Sequence, residues 1–101
     1  MKRGEAMKLL TKSIEDSVKM FKVLCNETRL SIIALLAEGE RCVNSIAKHL
    51  KISQSTISHQ LKNMRYLDVV KTRRDGKQVF YSLKDNQVKE MFEVGYKHAN
   101  D

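Results

Sequence analysis

Residues 43–67 read VNSIAKHLKISQSTISHQLKNMRYL, and the spacing of their apolar side chains decides the fold. Val43, Ile46, Ala47 and Leu50 fall at helical steps and predict a short helix over 43–50 with these four facing inward. Lys51-Ile52 predicts a tight turn. Ser53 is a good N-cap, because its hydroxyl can accept from a backbone N–H of the first helical turn. The helix that it opens, about 54–67, buries Ile57, Leu61 and Met64. Its opposite face carries Ser55, Ser58, His59, Lys62 and Arg65. Two short helices joined by so few residues predict a helix-turn-helix, over about 43–67.

Working outward, the period changes from helical to alternating. Val69-Val-Lys-Thr-Arg-Arg74 and Lys77-Gln-Val-Phe-Tyr-Ser-Leu83 flank Asp75-Gly76. Asp-Gly between two β-prone runs predicts a hairpin with a type I′ turn, which requires positive φ at both central residues. The resulting two-stranded wing spans about 69–83. On the N-terminal side, Met7, Leu10, Ile14, Val18, Phe21 and Leu24 predict an amphipathic helix over 7–25. Asn26 caps the next helix, with Glu27 favourable in its first turn. Leu30, Ile33, Leu36 and Ala37 form that helix's inner stripe, and Gly39 follows its end. Val88, Met91, Phe92, Gly95 and Ala99 return to helical spacing over 85–99. The fold class is mainly α with a β-hairpin: a winged helix-turn-helix of about five helices plus a two-stranded wing, forming a dimer.

The chain has 101 residues, enough for one domain and too few for two. A domain of this size buries roughly 60–70% of its unfolded surface, so its core is modest. The apolar stripes of helices 8–24 and 85–99 are therefore expected to be completed by a second copy. No apolar run approaches the roughly 20 residues of a membrane span. The start, Met1 to Lys8, is basic but leads into an amphipathic stretch, unlike a signal peptide. Cys25 and Cys42 cannot frame a disulfide scaffold, which points to a reducing cytoplasm. Cys25, taken with the second helix, reads as a core residue.

Charge is distributed unevenly. The net charge is +7, and all of it lies in residues 41–81, where nine basic residues face only Asp68 and Asp75. The two flanks cancel. A basic middle between neutral ends is the footprint of a polyanion-binding protein. The basic residues spread over several elements, so they do not form the basic amphipathic helix of a membrane binder. There is no Gly-rich phosphate loop, no HExxH, and no serine or cysteine with a motif-placed base. An enzyme is not expected.

The strings Leu24-Cys-Asn-Glu-Thr-Arg-Leu30, Ile46-Ala47 with Leu50, Ser53-Gln-Ser-Thr-Ile-Ser-His-Gln-Leu61 and Arg73-Arg-Asp-Gly-Lys-Gln-Val-Phe-Tyr-Ser-Leu83 resemble the ArsR/SmtB family of winged-helix repressors. The likeness runs from about residue 16 to 101. It implies a homodimer that binds double-stranded DNA at an inverted-repeat operator and releases it when an effector arrives. The residues point the same way independently. A helix fits the major groove, and side chains near its N-terminus reach base edges. Ser53, Gln54, Ser55, Thr56, Ser58, His59 and Gln60 are hydrogen-bonders in that region, whereas Lys62 and Arg65 suit backbone phosphates. Ser53 and the N–H groups at the helix start can hold a phosphate; the alternative for Ser53 is a cap alone. Arg73, Arg74 and Lys77 surround the wing tip and suit the sugar-phosphate backbone. The alternative is a solvated hairpin, as it is a surface histidine for His59.

The resemblance also implies an effector. Relatives sense metals through cysteines near the short helix or through a carboxylate–histidine set on the last helix. Cys42 matches one cysteine position, but the second is Asn44 here. Cys42 is thus a candidate thiol sensor, the alternative being a small, partly buried apolar residue. The last-helix positions are Asp85, Gln87, His98 and Asp101, a candidate site for a divalent, zinc-like metal ion. Gln87 is the departure, because a neutral amide oxygen is a poor zinc ligand. Asp85 and His98 are separated by roughly 20 Å along one helix, so only an antiparallel copy in a dimer could join them. The competing function is a general nucleic-acid-binding or small-molecule-binding winged-helix protein without a regulatory metal.

Overall fold

The computed structural model describes residues 3–100. Five helices and three short strands follow one another as α1 (Arg3–Leu24), α2 (Glu27–Leu36), β1 (Arg41–Cys42), α3 (Val43–Leu50), α4 (Gln54–Tyr66), β2 (Val70–Asp75), β3 (Gln78–Leu83) and α5 (Asn86–Asn100). Among the described residues no helix is long and apolar enough to cross a membrane.

The caps read from the sequence are in place. Asn26 Oδ1 accepts from the Arg29 amide at 3.0 Å, and Ser53 Oγ accepts from the Thr56 amide at 3.2 Å. Asp85 stands just outside α5 and accepts from the Val88 amide at 3.1 Å, so it opens the helix. Two helix ends use a left-handed residue that is not glycine. Lys51 (φ 56°) closes α3, with the Ile52 amide donating to the Ala47 carbonyl at 3.1 Å. Asp68 (φ 63°) closes α4, with the Val69 amide donating to the Met64 carbonyl at 2.9 Å. Both bonds span six residues, the Schellman pattern. Gly39 takes φ +151°, a region that side chains avoid, but α2 itself closes at Ala37 in the right-handed conformation.

The wing departs from expectation in two details. β1 adds a third strand, in the order β1-β3-β2, with Arg41 opposite Tyr81 and Cys42 opposite Phe80. The hairpin turn is displaced by one residue. Asp75 pairs with Gln78 as the last rung, so the turn centres on Gly76-Lys77, and only Gly76 has positive φ. Glycine at the first central position is the type II′ preference, where the sequence suggested type I′.

The core lies where α2, α3 and α4 meet the sheet. Ile32, Ile33, Ile46, Ile57, Leu61, Met64, Val69 and Val70 are fully buried. Ile57, Leu61 and Met64 form the α4 stripe as expected. On α2, however, Ile32 is buried and Leu30 is exposed. α2 packs against α1, α3, α5 and β3 and is apolar over much of its circumference, so spacing could not select its inner stripe. On α3, Ile46 and Ala47 are buried whereas Val43 and Leu50 are half-buried. Cys25 is exposed rather than in the core, because α1 ends at Leu24 and Cys25 falls in the link to α2. α1 buries Val23 alone.

Candidate nucleic-acid interface

α4 stands on the core through Ile57, Leu61 and Met64, and this sets the direction of its other face. Ser53, Gln54, Ser55, Thr56, Ser58 and His59 are all exposed on its N-terminal half, and Lys62 and Arg65 are exposed further along. The Ser53 hydroxyl donates to Thr56 Oγ1 at 2.8 Å besides accepting from the Thr56 amide, so it knits the helix start. Asn63 Nδ2 lies 3.5 Å from His59 Nε2, a long contact that leaves the imidazole reachable. Gln60 differs from its neighbours. It is half-buried, and its Oε1 accepts from Arg29 Nε at 2.8 Å, which ties α4 to α2.

The wing brings further charge. Arg74 and Lys77 are exposed at its end and, among the described residues, belong to no ion pair; the same holds for Lys62 and Arg65. Arg73 is held. Its Nη2 and Nε donate to the two carboxylate oxygens of Glu40 at 2.6 and 3.2 Å, and its guanidinium carbon sits 4.9 Å from the Phe80 ring centroid. The hydrogen bond from Arg73 holds the Glu40 carboxyl below its ordinary value, and the same bond raises the Arg73 guanidinium. Sequence spacing could not reveal this pair, because Glu40 lies outside the hairpin.

The arrangement presents hydrogen-bonding side chains on a helix that protrudes from a rigid core, beside a strand pair with unpaired cations. Exposed hydrogen-bonding groups on a helix with free cations nearby are the chemistry that base edges in a DNA major groove and its flanking phosphates take. A sequence profile described as "Bacterial regulatory protein, arsR family" matches residues 26–72, from the α2 cap into β2. The chain is 39% identical over 87 residues to the cadmium resistance transcriptional regulatory protein CadC homolog of Staphylococcus aureus, covering 85% of this chain and 72% of that one. It belongs to the ArsR family. This ArsR-family protein is also 36% identical over 87 residues to the transcriptional repressor SmtB homolog of Synechocystis, covering 86% of this chain and 66% of the relative. Its fold matches the homodimeric winged helix-turn-helix DNA-binding domain of Mb0332 from Mycobacterium bovis with a TM-score of 0.80 and 28% identity, over 99% of this chain and 87% of the other. The ArsR-family chain is accordingly a DNA-binding transcriptional regulator.

The effector positions are more dispersed. Asp85 caps α5, Gln87 and His98 are exposed, and Asp101 lies outside the described residues. Among the described residues no group of three His, Cys, Asp or Glu side chains could hold a metal ion. The described residues of one chain therefore do not by themselves gather a metal-binding set. A set with one imidazole and otherwise oxygen donors also suits zinc poorly. Cys42 is half-buried at the start of α3, beside a hollow that Lys77, Gln78 and Val79 share. Gln87 borders a groove between the end of α1 and α5, lined by Phe21, Leu24, Met91 and Val94, of which Phe21 and Val94 are exposed.

Proposed function

We propose that this ArsR-family protein acts in the cytoplasm as a homodimeric repressor on an inverted-repeat operator. Gln54, Ser55, Thr56, Ser58 and His59 read bases, Ser53, Lys62 and Arg65 contact the backbone, and Arg74 and Lys77 hold the flanking phosphates. The observation that carries this reading is the exposed polar half of α4 beside the uncompensated cations of the wing. Gln60, already bonded to Arg29, supports the helix from behind. The test is selection of a preferred duplex followed by binding to it and to scrambled DNA. His59→Ala and Gln54→Ala should each relax base preference by roughly 1–3 kcal/mol with little change in nonspecific affinity. Equal binding of wild type to every duplex would favour a general nucleic-acid binder.

Release by an effector is the second half of the reading. One relative is named for cadmium resistance. The last-helix set read from the sequence, Asp85 and Gln87 of one subunit with His98 and Asp101 of the other, makes a weakened intersubunit metal site. Calorimetry with Zn(II) should show binding well below that of a multi-histidine site, and His98→Ala should abolish it, since His98 supplies the one nitrogen. Absence of any divalent-ion binding at micromolar levels would leave Cys42 as the candidate sensor, tested by loss of DNA release by an oxidant in Cys42→Ser.

A further inference from the structure

Cross-strand partners stand on the same face of a sheet. Arg73 is opposite Phe80, and Cys42 is opposite Phe80 on its other side, so all three side chains share one face of the wing. Glu40, two residues before Cys42, reaches the same face. There its carboxylate grips the Arg73 guanidinium at two points while Phe80 supports the guanidinium plane. A two-point guanidinium–carboxylate pair is directional and charge-assisted, stronger than a single surface contact. As a unit it carries no net charge. Counterion release, which drives phosphate binding, requires net positive charge at the phosphate. Arg74, the next residue along β2, points to the opposite face, and Lys77 sits in the turn; among the described residues neither belongs to an ion pair.

We propose that Glu40 withholds Arg73 from DNA, so that Arg73 positions the wing against the α2–β1 link while Arg74 and Lys77 alone neutralise phosphates there. Arg73 is then a positioning residue, although its sequence neighbours suggest a phosphate contact. The proposal rests on the wing lying against DNA, and the experiment separates the two.

The readout is the slope of log affinity against log salt for nonspecific duplex DNA, expressed per subunit of the dimer, about 0.9 per neutralised phosphate. A variant that only loosened the fold would not add to this slope. Glu40→Gln frees Arg73, so the slope should steepen by up to about 0.9 and affinity at low salt should rise. The double variant Glu40→Ala/Arg73→Ala removes a neutral unit and should keep the wild-type slope. Arg74→Ala/Lys77→Ala should lose about 1.8. An unchanged slope in Glu40→Gln, or a loss of about 0.9 in Glu40→Ala/Arg73→Ala, overturns the role given to Glu40 even when Arg74→Ala/Lys77→Ala behaves as expected. An unchanged slope in Arg74→Ala/Lys77→Ala removes the wing from the contact surface, and the proposal falls with it.

Discussion

Glu40 and Arg73 come within 2.6 Å of each other while both side chains stay about half exposed. Water screens such a pair, so its value lies in geometry more than in stability. Its pH dependence follows from the direction of the Glu40 shift. A carboxyl held below its ordinary value of 4.5 contributes stability above that value and loses it as pH falls through the lowered one. The stability difference between wild type and Glu40→Gln should therefore be constant from neutral pH down to about 4.5 and shrink in stronger acid. Urea unfolding of both proteins over that range, at one protein concentration, measures it; a gap that widened in acid would assign the shift to another cause. Single residues were also where sequence reading failed most. The sequence reading places Cys25 in the core as part of the second helix, whereas it falls in the link between α1 and α2, outside the buried face of either. Gln60 shares its chemistry with Gln54, and only the position of Arg29 distinguishes a tethered amide from an exposed one.

The boundaries and the exposed polar side of α4 are legible at the level of elements, because Ile57, Leu61 and Met64 define one narrow stripe and Ser53 caps the helix. α2 was harder, since apolar side chains surround most of its axis. β1 was invisible: two residues carry no periodicity, and Arg41-Cys42 becomes a strand only because β3 lies beside it. The wing turn shows a subtler limit. Asp-Gly marks a hairpin correctly, but the pairing of Asp75 with Gln78 moves the centre by one residue. The turn between α3 and α4 gives a prediction of its own. Lys51 adopts φ 56°, ψ 43°, where a Cβ crowds the backbone. Lys51→Gly removes that strain, offset in part by the greater freedom of glycine in the unfolded chain. The net result should be a gain of roughly 0.5 kcal/mol in urea unfolding. Lys51→Val should be destabilising instead, because a β-branched residue tolerates this conformation poorly. The opposite order of the two variants would show that the strain is borne elsewhere.

The molecule as a whole separates its surfaces. Polar and basic side chains gather on α4 and the wing, whereas α1 exposes Met7, Leu10, Ile14, Val18 and Phe21, and α5 exposes Val94 and Tyr96. Phe21 is 58% exposed and Ile14 54% in the single chain. The apolar stripe of α1, which reaches a groove with α5 at Phe21 and Leu24, is the surface that a second copy would cover. A two-fold dimer built this way would apply each α1 contact twice, and reading an inverted repeat would require its two α4 helices about 34 Å apart, in successive major grooves. Phe21→Glu introduces a carboxylate at each of two symmetric positions, and an unpaired carboxylate taken out of water costs several kcal/mol. The variant chain should keep its helical content, since Phe21 contributes little to the core of one subunit. Sedimentation at micromolar concentration should show the wild type as a dimer and Phe21→Glu as a monomer. Binding to an inverted repeat should fall to the nonspecific level, because one helix-turn-helix reads one half-site and loses the advantage of linked binding, a factor of order 10²–10⁴. Phe21 lies on α1, outside α4 and the wing, so the salt slope per subunit should stay as in the wild type. A Phe21→Glu protein that remained dimeric and kept its preference for the inverted repeat would place the dimer interface away from α1.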